Sequence, residues 1–191
     1  ILEVVRRAVD RLTLEEQADV VPDRPPRLLS DTRPFLWSKE TAAAAKSVFS
    51  LQPCDSGLEA RFVGFADRCR DVAAFAKLAP QAHVSMEYRN EDGRMAFYYP
   101  DFVVRMVSGD HYLIETKGHA DLDVPPKDRR AAQWALDATM VSGVRWQYLR
   151  VDERVFDEHS PAAVTMEDLL DVVRARLRAQ RLSSLQSGGK R

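Results

Sequence analysis

Cysteine and histidine are scarce in this chain, and neither residue type is spaced for metal binding. The two cysteines, Cys54 and Cys69, form no CxxC pair. The four histidines are scattered along the sequence, which argues against a zinc site. Two free thiols are typical of a protein in a reducing compartment, so we expect a cytoplasmic protein.

Long apolar runs, a secretion leader and a phosphate loop are also missing. No apolar run approaches the ~20 residues needed to cross a bilayer, and no basic-then-apolar leader opens the chain, so we expect no membrane partner. The patterns GxxxxGKS and GxxxxGKT, which cradle nucleotide phosphates, are absent, and we expect no ATP site in this chain. The chain begins at Ile1 within a helical pattern, so we expect it to be part of a longer or processed protein.

Net charge does not decide whether nucleic acid is a partner. The 191 residues include 28 basic and 29 acidic ones, for a net charge of −1. A dedicated DNA-binding domain is usually basic, so DNA affinity would have to come from local patches, a partner or another part of the parent chain. A hydrophobic content of 45% and a charged content of 30% are ordinary for a globular protein.

Apolar spacing and turn residues divide the chain into three parts. Residues 1–36 predict an amphipathic helix and a proline-rich connector, residues 37–182 the main domain, and residues 183–191 a disordered polar tail. The predicted helices of the domain are residues 58–69, 127–139 and 165–181, and the predicted strands are residues 83–88, 95–107, 111–117 and 145–151. Residues 72–78 fit either a short strand or a helix end. This order indicates the α/β class, with a mixed central sheet and flanking helices.

The polar side chains that point to function lie on a predicted hairpin. A turn at residues 108–110 folds two predicted strands onto each other and brings Asp101 level with Glu115, within one residue. Because side chains alternate along a strand, Glu115 and Lys117 share one face and Thr116 lies on the other. The hairpin therefore predicts two carboxylates and an ammonium close together.

Two carboxylates placed beside a core conflict with stability alone. Leu113 and Ile114 make the return strand core-like, so two anionic side chains there would repel each other and lose hydration. A divalent cation removes that conflict, and Mg²⁺, for which we expect Mn²⁺ to substitute, prefers carboxylate oxygens. A bound Mg²⁺ stabilises charge developing on a phosphate and lowers the pKa of a coordinated water. Lys117 would orient or help deprotonate that water, or stabilise a pentavalent phosphate.

Asp101, which follows a proline, and the run Glu115-Thr116-Lys117 together resemble the motif of the PD-(D/E)XK nuclease superfamily. The resemblance implies a restriction-endonuclease-like fold and a Mg²⁺-dependent nuclease. It implies Asp101, Glu115 and the Thr116 backbone carbonyl as metal ligands. Lys117 would complete the catalytic set. The alternative is an exposed hairpin end, where the two acids form salt bridges with Lys117 and Arg105 that are nearly neutral energetically.

Four segments of the sequence indicate one particular branch of this superfamily. They are residues 72–78 (VAAFAKL), residues 98–105 (YYPDFVVR), residues 112–118 (YLIETKG), and Lys127-Asp128 followed by Gln133-Trp134. Together they resemble the C-terminal endonuclease domain of the restriction subunits of type III restriction enzymes, and of related helicase-nucleases. This implies a DNA endonuclease of a prokaryotic restriction-modification or phage-defence system. It also implies a helicase motor upstream in the parent chain, and a methyltransferase or specificity subunit as a partner.

Glu59, on the helix before the hairpin, has two interpretations. In the superfamily an acidic residue from a preceding helix often completes the metal site, and the resemblance implies Glu59 for that position. The run from Ser56 to Glu59 also fits a capping box, in which Glu59 accepts a hydrogen bond from the Ser56 backbone N–H. The sequence leaves both interpretations open.

Residues on the helix after the hairpin are further candidates. The resemblance suggests that Gln133 contacts the site or the DNA, while a solvated helix position explains it as well. Lys127, Arg129 and Arg130 would contact phosphates beside the scissile bond, although a solvated helix face is the more usual outcome for such residues. His119 directly follows the motif and is interpreted as incidental.

Three functions compete. The first is a Mg²⁺-dependent DNA endonuclease that hydrolyses phosphodiester bonds in a restriction or defence system. The second is a non-catalytic module that keeps a nuclease-like fold as a DNA-binding or interdomain scaffold; converging carboxylates argue against it. The third is a repair or recombination nuclease of the same superfamily, which the site alone does not separate from the first.

Overall fold

The structure is a computed structural model that describes residues 28–90, 92–118 and 124–188. The helix predicted near the start of the chain, and the part of the proline-rich connector up to residue 27, lie outside the described residues. His119 lies outside them as well. Statements about the fold below concern the described part.

Eight strands and four α-helices form in the described residues. The strands are β1 (Thr41–Ala42), β2 (Gln52–Pro53), β3 (Val72–Lys77), β4 (Met86–Arg89), β5 (Met95–Tyr98), β6 (Phe102–Met106), β7 (His111–Lys117) and β8 (Trp146–Asp152). The helices are α1 (Gly57–Arg68), α2 (Val124–Ser142), α3 (Glu153–His159) and α4 (Met166–Gly188). Two short 3-10 helices, Leu29–Asp31 and Pro80–Ala82, lie outside these elements.

A four-stranded mixed sheet, in the order β3-β6-β7-β8, is the largest sheet of the described residues. Neighbours among β3, β6 and β7 are antiparallel, and β8 runs parallel to β7 after the crossover through α2. Two further sheets, β1-β2 and β4-β5, have two strands each. The predicted α/β class with a mixed sheet and helices is confirmed.

β5 and β6 are separate strands, so the prediction of one strand over residues 95–107 is wrong. β5 pairs with β4, which sets Tyr98 opposite Met86, whereas β6 pairs with β3 and β7. Pro100 lies between β5 and β6 and has no N–H to donate, so a strand ladder does not continue through it. The chain therefore changes sheets at Pro100, and Asp101 stands between this break and β6.

The predicted hairpin is confirmed for β6 and β7. Phe102 of β6 lies opposite Ile114 of β7. Gly109 turns the chain with a φ of 95°, a backbone conformation that a residue with a Cβ rarely adopts. Extending this pairing by one residue sets Asp101 beside Glu115, as the sequence predicts.

One face of the central sheet packs against α1, α3 and α4. Ser56 caps α1 by accepting from the Glu59 N–H, and the apolar residues that follow at helical spacing are buried. Phe62 is fully buried, with its ring centroid 4.7 Å from that of Phe102 and 5.9 Å from that of Phe156. These aromatic contacts hold α1 over the start of β6.

The opposite face of the sheet packs against α2 and the β4-β5 hairpin. Tyr112 and Ile114 of β7 belong to the core under α1, whereas Leu113 belongs to the second core. Ala131 of α2 and Tyr98 of β5 pack in that second core. β7 is thus buried on both faces, as a central strand of a layered α/β fold should be.

Several element boundaries differ from the sequence predictions. The ambiguous residues 72–78 form β3 almost throughout. α2 begins at Val124, three residues before the predicted start at residue 127, so Pro125 and Pro126 lie in its first turn, where a missing N–H is tolerated. α4 ends at Gly188, whereas the sequence predicts a disordered tail from residue 183. No helix in the described residues is long and apolar enough to cross a membrane.

We predict that Phe62→Ala lowers the free energy of unfolding by about 3–5 kcal/mol, because it removes a fully buried ring and leaves a cavity. Urea unfolding followed by circular dichroism measures the change as a shifted midpoint at constant slope. The control is Leu136→Ala on α2, since Leu136 is 59% exposed and should change that free energy by less than about 0.5 kcal/mol. Equal effects of the two substitutions would contradict the packing of α1 on the sheet.

Candidate active site

Asp101 connects the ends of β3 and β7 to the start of β6. Its carbonyl oxygen accepts from the Leu78 N–H at 2.7 Å. Its carboxylate Oδ2 accepts from both the backbone N–H and the hydroxyl of Thr116, each at 2.8 Å. The other oxygen, Oδ1, lies 3.0 Å from Lys77 Nζ. Because both oxygens are held, the carboxylate has a fixed direction at this end of the sheet.

Glu115 lies next to Asp101 in a largely buried, negatively charged environment. Its Oε2 accepts from the Tyr98 hydroxyl at 2.7 Å. The pKa of Glu115 is raised to about 8, first by burial and then by the charge of Asp101. The Tyr98 hydrogen bond and the charges of Lys117 and Lys77 oppose this rise in pKa. The structure thus brings together the two carboxyl groups that the sequence pairs, and burial beside Asp101 favours the protonated form of Glu115.

The predicted alternation of side chains along β7 is confirmed. Leu113, two residues before Glu115, packs on the α2 side, whereas Ile114, two residues before Thr116, packs on the α1 side. Lys117 therefore shares the face of Glu115, where it is half-buried at the end of the strand. Its charge lowers the pKa of Glu115, so the ammonium is near enough to act on that carboxylate.

Lys77, the last residue of β3, is a charged residue of this site that the sequence pattern does not single out. Its side chain is only 4% exposed. Its Nζ lies 3.0 Å from Asp101 Oδ1, 3.4 Å from Glu59 Oε1 and 3.9 Å from Asp55 Oδ2. Burial lowers the pKa of Lys77, but these carboxylates outweigh burial and raise that pKa above its ordinary value. A lysine ending an apolar strand was the available signal, since a buried ammonium requires anionic partners.

Glu59 takes part in both the helix cap and the carboxylate cluster. Its N–H donates to Ser56 Oγ at 3.3 Å, and its Oε2 accepts from the Asp55 N–H at 2.6 Å. The capping box is therefore present, with its second hydrogen bond one residue earlier than the sequence predicts. The other oxygen, Oε1, faces Lys77. Burial raises the pKa of Glu59 and Lys77 opposes that rise; the role of Glu59 as a metal ligand stays a prediction.

Two tyrosines, the buried Tyr98 and the half-buried Tyr148, link Glu115 to α2. The Tyr98 hydroxyl, which donates to Glu115, neighbours that of Tyr148. Tyr148 donates to Asp128 Oδ1 at 2.6 Å, and Arg150 donates to Asp128 Oδ2 at 2.6 Å. Burial raises the pKa of both tyrosines, so their hydroxyls keep their protons and act as donors. This network, which the sequence pattern does not reveal, orients the Glu115 carboxylate.

The residues of α2 with a predicted role in DNA contact lie on or near the helix surface. Gln133 is exposed, and its amide donates to Asp137 of the same helix at 2.8 Å. Arg130 Nε donates to a carbonyl of β4 at 3.1 Å. Arg129 is exposed and Lys127 is half-buried. Their contacts with DNA, and that of Gln133 with the site, stay predictions.

The oxygen donors at this end of the sheet suit a hard divalent cation. Asp101 and Glu115 offer carboxylate oxygens, and the Thr116 carbonyl is the further ligand that the resemblance implies. Mg²⁺ keeps several of its waters and needs few protein groups. Among the described residues, no group of three or more His, Cys, Asp or Glu side chains is arranged to hold an ion. The fit therefore rests on the two neighbouring carboxyl groups, Asp101 and Glu115, and on burial beside Asp101, which raises the pKa of Glu115.

Comparison with known proteins adds no assignment. No family model, curated protein or solved structure significantly matches this chain. What the site can do is therefore argued from its own groups. These are a fixed carboxylate on Asp101, a carboxyl group of raised pKa on Glu115, and the ammonium of Lys117.

We predict that Glu115 makes the metal-free protein less stable as the pH rises from about 5 to 8. Folding raises the pKa of Glu115 from 4.5 to about 8, so in this window the native state holds a proton that the unfolded chain has lost. The contribution of this proton to stability is fully present below the unfolded pKa of 4.5. It is lost as the pH rises through the folded pKa of about 8. The slope is at most about 1.4 kcal/mol per pH unit.

Chemical unfolding in EDTA across this pH range measures the effect, with Glu115→Gln as the variant that does not titrate. Relative to wild type, the free energy of unfolding of Glu115→Gln should rise as the pH increases. Glu87→Gln, which changes an exposed glutamate, is the matched control and should follow wild type. If Glu115→Gln follows wild type as closely as the control does, the pKa of Glu115 is not raised.

Proposed function

We propose that this chain is a Mg²⁺-dependent DNA endonuclease domain that hydrolyses phosphodiester bonds. The observation that carries the proposal is the largely buried pair of carboxylates, Asp101 and Glu115, with Lys117 on the face of Glu115. Placing two acids together destabilises the fold, since like charges repel and both groups lose hydration. A function that needs converging carboxylates accounts for that arrangement, and a scaffold does not.

The topology supports the finer assignment of a restriction-endonuclease-like fold. Such a fold implies a mixed central sheet with helices on its faces. Here α1 precedes the three antiparallel strands β3, β6 and β7, and α2 then leads to the parallel strand β8. α1 and α2 contribute to cores on opposite faces of β7. Asp101 lies just before β6, and Glu115 and Lys117 lie at the end of β7. Because the two strands are antiparallel, both halves of the motif lie at the same end of the sheet.

Each residue of the site has a task that follows from its position. When bound, Mg²⁺ would supply charge stabilisation at the phosphate and a lowered pKa for a coordinated water. Asp101 and Glu115 would hold the ion together with the Thr116 carbonyl, which requires Glu115 to lose its proton. Tyr98 keeps the Glu115 carboxylate directed into the site. Lys117 orients or helps deprotonate the attacking water, or stabilises the pentavalent phosphate.

The wider proposal is a helicase-linked, type III-like restriction or defence enzyme. Its support is the resemblance of four segments within residues 72–134 to the nuclease domain of type III restriction subunits. In that setting a helicase region of the parent chain would move along the DNA, and a methyltransferase or specificity subunit would set the target. A repair or recombination nuclease would use the same site, and helicase motifs in the sequence upstream would favour the restriction context.

We predict that Lys117→Ala lowers plasmid cleavage in Mg²⁺ by at least about 100-fold, because it removes a charge that acts on the transition state. Circular dichroism and Mn²⁺ binding should stay close to wild type, since the carboxylates remain. Lys39→Ala is the matched control: Lys39 is an exposed lysine whose ammonium lies 2.6 Å from Asp55, and its loss should leave cleavage intact. The loss of supercoiled plasmid over time, with and without EDTA, gives the rates.

Three results would count against this function. Cleavage that persists in EDTA would show that no divalent ion is needed, and full activity of Lys117→Ala would remove the assigned role of the ammonium. If wild type neither cuts DNA nor binds Mn²⁺ in a manner that depends on Asp101 and Glu115, the competing scaffold function is favoured.

A further inference from the structure

The Lys77 ammonium stands where the carboxylate cluster could otherwise hold a cation from solution. Asp101, Glu59 and Asp55 each place a carboxylate oxygen within 3.9 Å of its Nζ. The same Nζ lies 5.6 Å from the centroid of the Phe102 ring, whose face also attracts positive charge. The proposed nuclease function leaves this ammonium without a role.

Asp101 divides the cluster into two sides. Its Oδ1 faces Lys77 and Glu59, whereas its Oδ2 faces Thr116 at the end of β7, next to Glu115. Both oxygens of Glu59 are engaged, one by the Asp55 N–H and the other by Lys77. The positive charge on the Glu59 side is therefore part of the chain, whereas on the other side Glu115 accepts from a neutral donor, the Tyr98 hydroxyl, at 2.7 Å.

The backbone of Lys77 is fixed as firmly as its side chain. Its N–H donates to Oε1 of Gln52, a fully buried residue of β2, at 2.5 Å. In the sheet it pairs with Phe102, the residue after Asp101. The backbone that carries the ammonium is thus fixed by β2 on one side and by β6 on the other. A surface lysine, by contrast, keeps its charged end in water.

We propose that Lys77 takes the place of a second divalent ion, so that the site binds a single metal ion between Asp101 and Glu115. Glu59 then serves the ammonium rather than the metal. This inference rests on the proposed nuclease function and adds to it the number of ions and a role for Lys77 as a positioning residue. A divalent ion beside Glu59 would meet the ammonium at short range, and two cations so close repel strongly.

The test is the stoichiometry of Mn²⁺ binding to the full chain, measured by calorimetry and by the electron paramagnetic resonance signal of free Mn²⁺. Wild type should bind one ion. Lys77→Ala should bind two in excess Mn²⁺, because it opens space and removes the counter-charge of Asp101 and Glu59. The double variant Lys77→Ala, Glu59→Gln should return to one ion, since the second site loses a carboxylate.

Lys39→Ala is the matched control, because Lys39 is an exposed lysine that contacts Asp55, the most exposed of the three cluster carboxylates. It should bind one ion. A second readout is thermal stability: Mn²⁺ should raise the melting temperature of Lys77→Ala more than that of wild type, since an ion replaces its missing internal charge.

Each outcome decides the matter. Two ions in wild type, or one ion in a folded Lys77→Ala, would overturn the inference while leaving the nuclease function standing. No Mn²⁺ binding by wild type would refute the metal site itself, and the inference with it. If Lys77→Ala does not fold, the wild-type stoichiometry decides, with one ion supporting the inference and two overturning it.

Discussion

The carboxylate of Asp101 is the contact on which the site depends. Through one oxygen it holds both donors of Thr116 at the end of β7, and through the other it holds the buried Lys77 ammonium at the end of β3. An apolar side chain at this position would leave a backbone N–H, a hydroxyl and a buried charge without this partner, a combination that typically costs several kcal/mol. The position itself follows from Pro100, which ends one strand ladder and lets the next begin.

Charge around that carboxylate is arranged unevenly. On the α1 side, the ammonium of Lys77 lies 3.0 Å from Asp101 Oδ1 and 3.4 Å from Glu59 Oε1, so that a positive charge of the chain itself contacts both carboxylates. On the α2 side, Glu115 is held by a tyrosine hydroxyl and influenced by Lys117, yet its pKa stays well above the ordinary value for a carboxylic acid. A fold that only needed stability would place an apolar residue or a second counter-ion there. A buried carboxyl group placed beside a second carboxylate is the physical reason to expect a cation and the chemistry that a cation permits.

The features that the sequence predicted were local ones. The turn at Gly109 and the alternation along β7 depend on neighbouring residues, so the sequence alone assigns Glu115 and Lys117 to one face. Features that depend on pairing between strands far apart in the sequence could not be predicted. Lys77 reaches the site because β3 pairs with β6. The residues of β3 alone do not indicate which strand it pairs with. The network from Tyr98 to Asp128 likewise joins residues that come together only after the sheet and α2 have packed.

The central claim is that Asp101 and Glu115 together hold a divalent ion at the end of β6 and β7. Anomalous X-ray scattering from crystals grown with Mn²⁺ tests it directly, since manganese is located independently of the protein atoms. We predict an anomalous peak within bonding distance of a carboxylate oxygen from each of these two residues. An ordered crystal grown in saturating Mn²⁺ with no peak between them, or with manganese held only elsewhere, would contradict it.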